Sequence, residues 1–97
     1  MPLKNETIAI IGTGTMGEAT IKGLLRQELV APEHLIASHP RAERRERLVE
    51  QYGIVAVSDN REAVARSTIV VLSVKPQIMG EVMRELNGTV SEAHLIL

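Results

Sequence analysis

Short apolar runs and amphipathic stretches alternate along this chain from one end to the other. Thr7 to Ile11 is the first apolar run and reads as a strand. A helix is predicted from about Thr15 to Leu29, with Met16, Ala19, Gly23, Leu24 and Gln27 on its inner face. A short second strand follows at Leu35 to Ser38. Pro40 then stands where a first helical position tolerates proline. The second helix spans about Arg41 to Tyr52, its inner stripe Ala42, Arg45, Leu48, Val49 and Tyr52, with Gly53 as a natural C-terminal cap. Ile54 to Val57 is a third strand. Asp59 to Glu62 resembles a capping box and opens a short helix to about Arg66. Thr68 to Val74 reads as a buried fourth strand. Pro76 opens a last helix with Ile78, Met79, Val82, Met83 and Leu86 inside, and Asn87-Gly88 stops it. His94 to Leu97 begins a fifth strand.

Strands alternating with helices predict an α/β fold, a Rossmann-type doubly wound parallel sheet with helices on both faces and strand order 3-2-1-4-5. The apolar run at the chain's end leads us to expect that the native gene extends past Leu97.

The junction between the first strand and the first helix changes this from a fold class to a function. Gly12-Thr13-Gly14-Thr15-Met16-Gly17 is a G-x-G-x-x-G turn in the one context that gives the motif meaning, after a strand and opening a helix. Gly12 permits the tight turn, Gly14 lets backbone approach a pyrophosphate, and Gly17 lets helix and strand pack closely. The free N–H groups and the positive end of the helix dipole face the anion. Met16 reads as a pocket wall.

The end of the second strand selects among dinucleotides. An NAD site carries Asp or Glu there, on the ribose 2′-hydroxyl. This chain carries Ser38, His39 and Arg41 instead, a set that can accept a 2′-phosphate. The alternative for Arg41 is a solvated charge like Arg44, Arg45 and Arg47 on the same helix. Asn60 reads either as a helix cap or as a contact to the adenosine. Ser73, Val74, Lys75 and Pro76 lie at the C-terminal end of the fourth strand, on the ligand-binding edge. Lys75 reads as a phosphate- or solvent-facing cation, with catalytic acid as the lesser alternative.

Composition narrows the rest. The chain has 97 residues, room for one domain at 1–97. Tyr52 is its only aromatic residue, so the core is aliphatic. A net charge of −1 favours neither nucleic acid nor membrane. The chain has no cysteine, which removes disulfides and thiolate metal sites, and His34, His39 and His94 lack metal-ligand spacing. No apolar run approaches the ~18 residues of a membrane span, so we expect no metal and a cytoplasmic location.

Three stretches together resemble pyrroline-5-carboxylate reductase: Ile11 to Gly17, Ala37-Ser38-His39-Pro40, and Ser73-Val74-Lys75-Pro76-Gln77. Asp59-Asn60 also fits. The resemblance implies an N-terminal domain that binds NADP, with NADPH preferred and NAD as an alternative. It implies hydride transfer to 1-pyrroline-5-carboxylate, giving proline, in a homo-oligomer. It places Gly12 to Gly17 on the pyrophosphate, Ser38, His39 and Arg41 around the 2′-phosphate, Asn60 on the adenosine side, and Ser73 to Pro76 beside the ribose and nicotinamide. The imino-acid substrate and its oligomer contacts belong to a helical C-terminal domain absent from this chain, so no catalytic residue is named here. One departure stands out: many members carry Arg directly after the Ser or Asn that ends the second strand, where this chain has His39, with Arg41 two positions on. The Gly-rich loop with Met is shared with coenzyme F420-dependent NADP oxidoreductases and hydroxyacid dehydrogenases. Other readings are therefore another NADP oxidoreductase of that kind, or a non-catalytic nucleotide-sensing module.

Overall fold

The computed structural model describes residues 6–12 and 14–90, and the backbone of 95–96. Five parallel strands form one sheet: β1 (Ile8–Ile11), β2 (Leu35–Ser38), β3 (Val55–Val57), β4 (Ile69–Leu72) and β5 (Leu95–Ile96), in the order β3-β2-β1-β4-β5. Ile8 pairs with both Leu35 and Ile69, which places β1 at the centre. All four of its side chains are buried, Ile8 and Ile10 on one face, Ala9 and Ile11 on the other. A central parallel strand is covered on both faces, and so reads as an unbroken apolar run.

Four helices supply the cover: α1 (Thr15–Arg26), α2 (Ala42–Tyr52), α3 (Asn60–Ala65) and α4 (Pro76–Leu86). Ile21 of α1 and Leu48 of α2 close over Ile8, Ile10, Leu35 and Ala37. Ala63 and Val64 of α3, with Val82 and Leu86 of α4, close over Ala9, Ile11, Ile36 and Val70. Burying each of the larger aliphatic side chains contributes roughly 1.5–3 kcal/mol. Strand order and aliphatic core match the sequence reading.

Several boundaries and faces differ from it. Helix α1 ends at Arg26, not Leu29. The Glu28 N–H bonds to the Leu25 carbonyl and the Leu29 N–H to the Leu24 carbonyl, each at 3.1 Å, with Glu28 at φ 54°. This is a Schellman stop with glutamate in the left-handed seat, so no glycine announces it. The buried face of α1 is Gly17 and Ile21, with Leu24 and Leu25 beside them, while Met16, Ala19, Gly23 and Gln27 face solvent. Threonine at 20 and alanine at 19 blur the pattern, and Ile21 decides it. On α2, Leu48 is buried and Tyr52 packs beside it, whereas Ala42 and Val49 are exposed. Arg41 is the N-cap of α2 and Pro40 precedes it, so the proline lies outside the helix. On α4, Ile78 and Met83 are exposed and the buried pair is Val82 and Leu86.

β3 starts one residue later than expected, and β4 ends at Leu72, releasing Ser73 and Val74 into a loop. Asp59 caps α3 by accepting from the Arg61 N–H at 2.9 Å, but Glu62 turns to Arg66, so the box is half formed. His94 and Leu97 of the expected fifth strand lie outside the described residues.

Candidate functional site

The turn from β1 into α1 leaves open space over a helix N-terminus. Gly12 sits at φ 76°, a conformation that costs L-residues dearly. Its N–H donates to the Ser38 hydroxyl at 3.2 Å. The Gly14 N–H folds back onto the Gly12 carbonyl at 2.8 Å. Gly14 then caps α1, with no side chain over the helix end, and its carbonyl accepts the Glu18 N–H at 2.9 Å. The N–H groups of Thr15, Met16 and Gly17 belong to the first turn, which has no intrahelical acceptors. A Cβ built on Gly14 meets nothing within 4 Å, so the space above it is open. Gly17 is buried where α1 leaves the sheet.

β4 brings a second loop alongside. The Ser73 N–H donates to the Ile11 carbonyl at 2.9 Å and extends the β1–β4 ladder by one bond. Val74 then packs against the glycine turn. A Cβ on Gly12 would lie 2.4 Å from Val74 Cγ1, so glycine is required there twice, for its φ and for space. Lys75 caps α4 and Pro76 opens it. Together the two loops line a trough of about 600 Å³, with Gly12, Gly14 and Thr15 as its floor and Met16 in its wall. His39 and Pro40 wall one end, and Ser73, Val74, Lys75, Pro76 and Ile78 the other. It crosses the C-terminal ends of β2, β1 and β4, where open α/β sheets bind ligands. Met16 is 77% exposed, a wall residue and not part of the core.

His39 also borders a second cavity, of about 500 Å³, with Pro40, Arg41, Glu43, Arg44 and Arg47. Three guanidinium groups against one carboxylate make it basic. Arg45 holds the loop beneath: its Nη1 donates to the carbonyls of His39 at 2.8 Å and Pro40 at 3.0 Å. His39 Nδ1 accepts the Arg41 N–H at 3.1 Å, so the neutral ring carries its proton on Nε2. Burial, and then the charges of Arg44, Arg41 and Arg45, hold the imidazole below its ordinary value of 6.5.

A polar cluster links the glycine turn to α2. Arg44 Nη2 donates to Glu18 Oε1 at 2.7 Å and lies 3.4 Å from the Gly14 carbonyl. The Tyr52 hydroxyl donates to Glu18 Oε2 at 2.5 Å. The Tyr52 hydrogen bond, then Arg44, holds the Glu18 carboxyl below its usual value. Burial, reinforced by that carboxylate, pushes the Tyr52 phenol up to about 12.

The sequence-predicted residues therefore divide. The trough collects Gly12, Gly14, Thr15, Met16, His39, Ser73, Val74, Lys75 and Pro76. Ser38 is fully buried and its hydroxyl accepts the Gly12 N–H, so it shapes the turn. Arg41 is exposed at the rim of the basic cavity. Asn60 stands in the first turn of α3, and its amide donates to Glu85 Oε1 at 2.6 Å. It ties α3 to α4 and lines neither cavity. Thr13 lies outside the described residues. Sequence reasoning missed Glu18 and Tyr52 and left Arg44 as a surface charge. The i, i+4, i+8 row Arg44, Leu48, Tyr52 on α2 signals that Arg44 and Tyr52 share a face, and nothing local signals Glu18.

Among the described residues, no cluster of three or more His, Asp or Glu is placed to hold a metal, and no helix is long and apolar enough to cross a membrane.

Residues 7–97 match the family model described as NADP oxidoreductase coenzyme F420-dependent. The pyrroline-5-carboxylate reductase of Pseudomonas aeruginosa is 41% identical over 90 residues, covering 93% of this chain and 33% of that protein. The solved structure of a pyrroline-5-carboxylate reductase from Coxiella burnetii superposes with a TM-score of 0.82 at 28% identity, over 90% of this chain and 32% of that one. The Plasmodium falciparum pyrroline carboxylate reductase with NADP bound shares the fold, with a TM-score of 0.81 at 23% identity, over 97% and 33% of the two chains. The chain spans about a third of the length of the curated relatives it matches.

Proposed function

Because the chain belongs to the coenzyme F420-dependent NADP oxidoreductase family, we propose that it is the dinucleotide-binding unit of a pyrroline-5-carboxylate reductase. The observation that carries this is the trough over Gly14. It joins an open helix N-terminus to the β4–α4 loop, and no carboxylate stands at the end of β2. A dinucleotide fits that donor set. The first-turn N–H groups of α1 receive the pyrophosphate. His39 Nε2 and the arginines of α2 favour the 2′-phosphate, and Ser73 to Ile78 wall the nicotinamide end. When bound, the nicotinamide supplies a hydride.

The residues of this chain bind and orient. Val74, Pro76, Ile78 and Met16 present apolar surface to the ring end and keep water from it. None of them is an acid or base. The imino-acid substrate, the residues that hold it and the oligomer contacts are assigned to sequence beyond these 97 residues, in a helical domain, and the whole protein to the cytoplasm. Hydride transfer needs donor and acceptor within roughly 3–3.5 Å, so the isolated 97-residue chain is expected to bind the cofactor without turning over. The test is oxidation of NADPH by the full-length protein, followed with and without 1-pyrroline-5-carboxylate. Imino-acid-dependent oxidation supports the assignment. Oxidation that requires a 2-hydroxy or 2-oxo acid instead would favour another NADP oxidoreductase of the same fold.

A further inference from the structure

We propose that Arg44, held by Glu18 and Tyr52, is the residue that sets preference for NADPH over NADH, in place of the exposed Arg41. The inference rests on the dinucleotide-binding reading given above. Arg44 is the one α2 side chain that lines both the basic cavity at the end of β2 and the pocket beside Gly14, Thr15, Glu18, Ala19 and Lys22. It therefore stands between the pyrophosphate cradle and the 2′-phosphate region. Its position is fixed at two points, the Glu18 carboxylate at 2.7 Å and the Gly14 carbonyl at 3.4 Å. Glu18 is itself fixed, because its second oxygen accepts the Tyr52 hydroxyl. Tyr52 lies two turns along α2 from Arg44, with buried Leu48 between them, so anchor and guanidinium move as one helix face.

The four arginines of α2 and its cap are not equivalent. Arg41 and Arg47 are exposed, and each would lose rotamer freedom to grip an anion. Arg45 spends its Nη1 on the His39 and Pro40 carbonyls. Arg44 is already ordered, its side chain 19% exposed, and a planar fork fixed in place loses less freedom per hydrogen bond to phosphate than a mobile one. Glu18 offsets its charge at a distance, so the preference arises at contact range. Tyr52 and Glu18 are positioning residues, and their effect passes through Arg44.

The experiment titrates NADPH and NADH by calorimetry against the full chain and its Arg44→Ala, Arg44→Lys, Tyr52→Phe and Arg41→Ala variants. Arg44→Ala is expected to weaken NADPH about tenfold or more, with NADH changed by less than about threefold. Arg44→Lys keeps the charge but loses the fork, and should recover only part of the NADPH affinity. Tyr52→Phe should shift the NADPH-to-NADH ratio in the same direction by a smaller factor, and Arg41→Ala less than Arg44→Ala. Should Arg44→Ala melt below the assay temperature, Arg44→Lys carries the test. An unchanged ratio in the Arg44 variants overturns the inference alone and leaves the function standing. So does equal weakening of both nucleotides, which would make Arg44 a support of the Gly14 turn only. A folded wild-type chain that binds neither nucleotide overturns both.

Discussion

The hydroxyl of Ser38, at the last residue of β2, accepts the N–H of Gly12, the first residue of the glycine turn, at 3.2 Å. The two residues are distant in sequence and adjacent in the sheet. Ser38 is fully buried, and this bond fixes where the turn begins. Ser38→Ala leaves the Gly12 N–H unpaired in a part-buried place, costing about 1–3 kcal/mol of stability. Because the turn is loosened and no phosphate contact is lost, NADPH and NADH affinities should fall by the same factor. Denaturant unfolding and paired titrations check this, and a selective loss of NADPH would show that Ser38 meets the 2′-phosphate after all.

Gly12 and Gly14 should fail in opposite ways. Gly12→Ala places a Cβ 2.4 Å from Val74 Cγ1 at φ 76°, and the branched valine has no flexible end to yield. Its melting temperature should drop sharply, and Val74→Ala should restore only the part due to the clash. Gly14→Val fills open space, so the fold should survive while dinucleotide binding is lost. A Gly14→Val chain that unfolds, or one that keeps its NADPH affinity, would contradict the division of roles.

The helix stop at Glu28 supplies a stability test away from the site. Glu28 occupies a left-handed seat, φ 54°, in a Schellman arrangement that glycine ordinarily fills. Glu28→Gly should stabilise the chain by about 1 kcal/mol, raising Tm by roughly 4–8 °C for a domain of this size. A lower Tm would mean that the glutamate side chain makes a compensating contact.

Strand order was legible because β1 is an unbroken apolar run, which only a central parallel strand tolerates. The Gly12 to Gly17 turn was legible because its context, strand before and helix after, has a backbone cause. The stop of α1 was not, because glutamate sits where glycine would have signalled it. Nor was the inner face of α1, where small residues on both sides left two stripes nearly equivalent until Ile21 met the sheet. The residue types of Ser38 and Asn60 suggest ligand contact, and for Asn60 equally a helix cap, but not the bonds they make to Gly12 and Glu85, because partners so distant in sequence leave no local pattern. The contact of Glu18 with Arg44 and Tyr52 is hidden for the same reason.

His39 makes the stability of the chain sensitive to acid. The folded imidazole takes a proton less readily than the unfolded one, because burial and three arginines disfavour its charge. As pH falls below the ordinary value of 6.5, the unfolded chain is protonated first, so this contribution to stability is lost with falling pH. His39→Asn keeps an acceptor for the Arg41 N–H without titrating. Its stability should fall less than wild type between pH 7 and the onset of carboxylate titration, measured by denaturant midpoints. Parallel curves for the two proteins would place the acid sensitivity elsewhere.

The central claim is that the trough over Gly14 binds a phosphorylated dinucleotide, and isothermal titration of the folded chain with NADPH and with NADH tests it most directly. We predict one saturable site for each, with NADPH bound more tightly at low salt and the gap between them narrowing as salt rises. Heats indistinguishable from dilution for both nucleotides, or tighter binding of NADH, would contradict it.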